Sequence, residues 1–124
     1  MTMMIGAAVA ADYRDFESWR RARVAVCAVL EYAESLSRIG GHRLLAREID
    51  RLSVSILNTL ANGFEHHGDK EFVRRALRSV DGLEQKLQTA SDRSSLTAVR
   101  RQTLLRELRG LRRVLEKEPM NDSD

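Results

Sequence analysis

Cysteine occurs once in this chain of 124 residues, and Cys27 alone excludes an internal disulfide and any CxxC metal site. One proline and 5% aromatic residues fit poorly with a β-sandwich, whose turns use proline and whose strands favour aromatic side chains. There is no P-loop, GxGxxG, GxSxG or HExxH. A carboxylate-bridged di-iron bundle needs Glu-x-x-His, and no glutamate here has a histidine three residues on. CxxCH, the c-type haem attachment, is also missing. Neither an enzyme nor a cofactor is therefore expected. Residues 1–11 are uncharged and mostly apolar, too short to span a bilayer as a helix and without the basic start of a secretory signal. Residues 1–12 read as a flexible extension, with a signal peptide as the lesser alternative, and no membrane partner is expected.

What is present is globular. The composition is 43% hydrophobic and 31% charged, which argues against wholesale disorder. A chain of this length makes one domain and buries roughly two thirds of its unfolded surface. These features fit a soluble, cytoplasmic, mostly helical domain.

Apolar residues recur at three- and four-residue steps in four stretches. Asp12 caps a helix over 13–38, striped by Phe16, Trp19, Ala22, Val26, Val29, Leu30, Ala33 and Leu36 and stopped by Gly40 and Gly41. A second helix, 43–64, carries Leu45, Ile49, Leu52, Ile56 and Leu60. Asp69 caps a third, 70–90, with Phe72, Val73, Ala76, Val80, Leu83 and Leu87. The fourth, 96–117, carries Leu104, Leu108, Leu111 and Leu115. Similar lengths and short connections predict an all-α, up-down-up-down antiparallel four-helix bundle over 13–117. Residues 118–124 form a disordered acidic tail.

Two helices carry more apolar surface than a monomer needs. On the second, Val54, Leu57, Ala61 and Phe64 form another stripe, well over 90° round from the core stripe at about 100° per residue. On the first, Val24 and Ala28 fall opposite the Phe16, Trp19, Val26 and Leu30 stripe. A bundle core wide enough to touch both faces would account for them. Contact with other subunits accounts for them better, because helices apolar all round are normally buried all round.

The net charge of +3 is unevenly spread. Without the tail's Glu118, Asp122 and Asp124, 21 bases face 15 acids, so residues 1–117 carry +6. Arg100, Arg101, Arg106, Arg109, Arg112, Arg113 and Lys117 crowd the fourth helix. Arg106, Arg109 and Arg113 point away from its leucines. A solvated face is the simpler account of them, and a phosphate-binding ridge is the alternative. No aromatic residue interleaves with them, so base stacking is not expected. Glu65, His66, His67 and Asp69 have metal-ligand chemistry, but adjacent helical histidines diverge by about 100°, and a surface loop is the expectation. His42 is expected to start a helix, Cys27 to be a buried structural thiol, and Phe16 and Trp19 to pack in the core.

Three ordered blocks carry a family resemblance. Tyr13, Arg14, Asp15 and Phe16, then Trp19, Arg20 or Arg21, and Ala22, form an aromatic-basic-acidic-apolar opening. Val54-Ser55-Ile56 and Ala61-Asn62-Gly63-Phe64 follow, and then Asp69-Lys70-Glu71-Phe72. The chain resembles the small four-helix-bundle family encoded in 23S rRNA intervening sequences, clearly over 13–87 and more loosely beyond. It departs from the family at Leu57, where proline is usual, at Asn62, where glutamate is usual, and at His66-His67, where the loop is usually basic. The resemblance implies a bundle that assembles into a ring of five and has no enzyme activity. One relative, the accessory variability determinant of diversity-generating retroelements, is a basic ring that serves a reverse transcriptase and binds nucleic acid. The resulting expectation is a non-enzymatic homo-oligomer whose partners are itself and RNA, DNA or a nucleic-acid enzyme. A small-molecule- or metal-binding bundle with a sensing or enzymatic role is the alternative.

Overall fold

The computed structural model describes residues 17–65, 70–93 and 95–117, without the side chains of residues 64, 65 and 70. Four helices fill them: α1 Glu17–Ser37, α2 Arg43–Glu65, α3 Lys70–Asp92 and α4 Ala98–Lys117. The described residues contain no strand. The extension, the acidic tail, Phe16, the side chain of Phe64 and the histidine cluster at 66–69 lie outside the described residues.

Local chemistry sets the helix ends. The Ile39 N–H donates to the Leu36 carbonyl at 3.0 Å and the His42 N–H to that of Ile39 at 3.1 Å. Gly41 then takes φ 86°, a backbone that glycine adopts without a Cβ penalty. At α4 the cap is Thr97, whose Oγ1 accepts the Arg100 N–H at 3.2 Å. That contact starts the helix at Ala98 rather than at Leu96, and Leu96 instead tucks its side chain into the core.

Each helix packs on the two beside it, α1 and α3 both flanked by α2 and α4, while the diagonal pairs scarcely touch. The order is antiparallel. Lys86, late in α3, meets Glu48, early in α2, at 3.0 Å, and Arg21, early in α1, lies against Gly110 in α4. Val26, Val29, Leu36, Ile49, Ile56, Leu83, Leu87, Leu108, Leu111 and Leu115 are sealed at the centre. Each such side chain contributes about 1.5–3 kcal/mol of burial. On α1, Ala22, Ala25 and Ala33 occupy the buried face, so its backbone sits close to its neighbours.

Some expected core positions fall elsewhere. Leu52 is half-buried, with its methyls over Gly82 of α3, and Trp19, Leu30 and Val73 pack from the margin of the core. Cys27 is exposed, not buried. It lies about 160° round α1 from both Ala25 and Val29, and the core takes only their side of the helix. The apolar run from Val24 to Leu30 encircles α1 and so does not mark which side is covered.

A hydrogen-bonded tie closes one end of the bundle. The buried Tyr32 of α1 donates its hydroxyl proton to the Ser95 carbonyl at 3.1 Å. Ser95 Oγ lies 2.5 Å from Nε2 of His42, which precedes α2, and His42 Nδ1 lies 3.3 Å from the Gly40 carbonyl. The Arg100 guanidinium stands 5.3 Å from the centre of the Tyr32 ring.

Two glycines are expected to respond oppositely to alanine. A Cβ at Gly63 would sit 2.6 Å from the Cβ of Phe72, so α2 and α3 would have to separate. Gly63→Ala is expected to destabilise by about 1–3 kcal/mol despite the better helix propensity. At Gly110 the near atom is the Arg21 guanidinium at 3.1 Å, the free end of a flexible side chain. Gly110→Ala is expected to be neutral or to stabilise by up to about 1 kcal/mol, and urea unfolding measures both.

Burial pushes the Tyr32 phenol above its ordinary value of 10.0, and Arg100 opposes that shift in part. The unfolded chain therefore ionises first as pH rises. The tyrosine's contribution is fully present below about pH 10 and is lost as pH climbs through the folded value. Between about pH 9 and pH 11 the wild type should lose more stability in urea than Tyr32→Phe does.

Candidate nucleic-acid interface

α4 carries the densest positive charge in the chain, and the bundle sorts its arginines by direction. Arg100 faces α1 and covers Tyr32. Arg101 and Arg112 face α3. Arg101 donates to the Gln88 side chain at 2.7 Å, while its buried Nε has no partner. Arg112 bridges the Asp81 and Glu84 carboxylates, with Glu84 at 3.1 Å. The hydrogen bond to Asp81 is the main reason its guanidinium is held still further above its ordinary value. Arg112 is therefore a strut between α3 and α4.

Arg106, Arg109 and Arg113 differ from these. All three are exposed, and none makes an ion pair or hydrogen bond with a described residue. They fall within an arc of about 60° on α4, and Arg106 and Arg113 are about 10 Å apart along the axis. The ridge points away from the core and leans toward α3, since Arg109 lies about 60° round from Arg112, which marks the α3 side. Such an array can hold phosphates through charge and guanidinium hydrogen bonds without reading bases.

The apolar residues predicted for subunit contact do not converge on one patch. Val24 is 56% exposed and Val54 is 44% exposed, so both leave large aliphatic surface uncovered. Ala28 and Leu57 are half-buried against their own core, and Ala61 is half-buried too. Val24 and Ala28 share the side of α1 that carries Arg21 and Tyr32, the side that meets α4. Leu57 and Ala61 share the side of α2 that carries Ala46 and Asp50, which borders α1, and Val54 lies just outside them. The candidates thus occupy two lateral faces flanking α1. A charge at Leu57 would disturb the core as well as any contact. Ile39, Leu44 and Val99 are also exposed, at the loop end of the bundle, and carry no sequence signal because none belongs to a long stripe.

Between α1 and α2 runs an open groove of about 510 Å³, floored by Leu30, Ala33 and Ala46 and edged by Glu34, Asp50, Arg43 and Arg47. It brings together charges of both signs, and its one hydroxyl, that of Ser37, donates to the Glu34 backbone carbonyl at 2.6 Å. Among the described residues no group of histidine, cysteine, aspartate and glutamate is arranged to hold a metal ion. No described helix is long and apolar enough to cross a membrane. No protein-family model, no curated protein and no solved structure matches this chain.

The sorting of arginines predicts two kinds of loss. Arg112→Ala should cost about 1 kcal/mol, because it leaves the half-buried Glu84 carboxylate and the exposed Asp81 carboxylate without their shared partner. Arg106→Gln, Arg109→Gln and Arg113→Gln should each leave stability within about 0.5 kcal/mol in urea unfolding.

Proposed function

We propose that this protein is a non-enzymatic bundle that assembles into a cyclic homo-oligomer and offers its α4 arginine ridges to nucleic-acid phosphates. The observation that carries the nucleic-acid part is that Arg106, Arg109 and Arg113 meet no partner among the described residues, on a helix whose Arg100, Arg101 and Arg112 are all engaged. Guanidiniums left unpaired on one surface are free to neutralise an external polyanion.

Assembly draws support from the two separate apolar faces. A two-fold dimer uses one self-complementary patch, whereas a ring uses two different patches per subunit. Val24 with Ala28, and Val54 with Leu57 and Ala61, form two patches on adjacent sides of α1. The ridge leans toward α3, which neither patch uses, so such a ring would leave it open. Membership of the 23S rRNA intervening-sequence family, with a ring of five subunits, is the form of this proposal that the blocks over 13–72 favour.

Light scattering tests the assembly. A mass several times the protomer's 14.1 kDa is expected, and a monomer at micromolar concentration would overturn it. Val24→Glu or Val54→Glu should dissociate the oligomer with helicity unchanged, since both side chains already face outward. Fluorescence anisotropy with labelled RNA and duplex DNA tests the ridge. Binding should be indifferent to sequence and should weaken steeply with salt, by a log–log slope of about −0.9 for each duplex phosphate neutralised. Replacing the three arginines with glutamine should abolish it and leave the oligomer intact. An absence of binding at low salt would reduce the ridge to a solvated face.

A further inference from the structure

The same three arginines have a candidate occupant within the chain. We infer that the acidic segment 118–124 docks on the Arg106, Arg109 and Arg113 ridge of its own α4 and competes there with external polyanions. The inference rests on the proposed phosphate-binding role of the ridge, although its first test below does not.

Charge complementarity and reach carry it. The segment begins one residue after Lys117, the end of α4, and holds Glu118, Asp122 and Asp124 with no base. Pro119 has no N–H to give to a further turn of helix. Measured up the helix axis from Lys117, Arg113, Arg109 and Arg106 lie about 6, 12 and 17 Å away. An extended segment reaches about 17 Å at Asp122 and about 23 Å at Asp124, so its carboxylates span the whole ridge. No carboxylate within the described residues forms an ion pair with these guanidiniums, and the one that shares their face of α4 is Glu116, a turn beyond Arg113. Asp81 and Glu84 are held by Arg112, and Glu71 is shared by Arg74, Arg75 and Arg78. Tethering next to the ridge gives the segment a high effective concentration there.

The magnitude makes it a competitor and not a lock. Exposed ion pairs are each worth no more than about fivefold in an equilibrium constant, and they are screened beyond a Debye length of about 10 Å at 0.1 M salt. The segment should therefore weaken polyanion binding by roughly three- to thirtyfold at low salt and by little at high salt. A non-specific surface would thereby be kept clear of weak anions while remaining open to a long phosphate backbone.

The first test needs no nucleic acid. In the full-length protein labelled with 15N-arginine, the side-chain Nε–H signals of Arg106, Arg109 and Arg113 should differ at low salt from those of a chain ending at Lys117, and should converge on them as salt is raised. Identical signals at low salt would overturn the inference, whatever the protein binds. The second test uses a labelled oligouridine. Glu118→Gln, Asp122→Asn and Asp124→Asn together should tighten binding severalfold. Glu17→Gln, Glu31→Gln and Asp50→Asn, an equal change of charge at exposed positions elsewhere, should alter it by less than half as much. Equal gains would show that net charge alone acts and would overturn docking. If no variant binds oligouridine while the arginine signals still shift, the docked segment stands and the nucleic-acid role of the ridge falls.

Discussion

The bundle depends on how closely α2 and α3 approach each other. Gly63 leaves no room for even a methyl group against Phe72, and Gly82 lies directly beneath Leu52. Between these points Ser55 and Ser79 join their hydroxyls at 3.2 Å. Small residues at three levels of one seam hold the two backbones together, as a larger side chain could not. α2 packs about as closely on α1 as on α3, and α3 with α4 is the loosest pair. The looser seam is bridged by long polar side chains, Arg112 to Asp81 and Glu84 and Arg101 to Gln88. Close packing on one side of α3 and charged struts on the other are two solutions to one problem, the filling of a four-sided core with helices of unequal bulk.

The same division explains the surface. Arginine serves three ends on α4: its guanidinium covers an aromatic ring at Arg100, spans to another helix at Arg112 and meets no partner among the described residues at Arg106, Arg109 and Arg113. Formal charge does not distinguish these states, but direction on the helix does. Carboxylates offset the charge of Arg112, whereas Arg106, Arg109 and Arg113 form no ion pair with a described residue, so the positive field of α4 is least offset along the ridge.

The fold was legible because its signals were periodic and local. The leucines and isoleucines of α2 and α4, the Gly40 and Gly41 stop and the polar break before α4 all mark helices, and four helices with short turns leave one simple topology. The outward direction of Arg106, Arg109 and Arg113 followed from the same periodicity. Less legible was anything that depended on a partner helix. Cys27 sits in an apolar run that encircles α1, so periodicity did not mark its exposed side. Leu52 keeps perfect spacing in its stripe, yet the stripe is wider than the core and its edge falls on Gly82. Arg112 differs from Arg113 by about 100° of helix, which decides strut against free charge only once the place of α3 is known. Ser95 and His42, 53 residues apart, carry no local sign that they meet.

That meeting bears on the order in which the chain gains structure. Contacts of α1 with α2 and of α2 with α3 join neighbours along the chain and close short loops, whereas the Tyr32 hydroxyl reaches Ser95 across 63 residues. Loop closure costs grow with separation, so hairpins of adjacent helices form early and the seam between α1 and α4 forms last. The last seam to form is the first to open by sub-global fluctuation. Both seams of α4 are sparser than those joining α1 to α2 and α2 to α3, so amide exchange should be quickest along α4 and slowest in the α2–α3 hairpin. The protein thus places its outward charge on one of its more labile helices and its rigidity in the pair that carries none of the ridge.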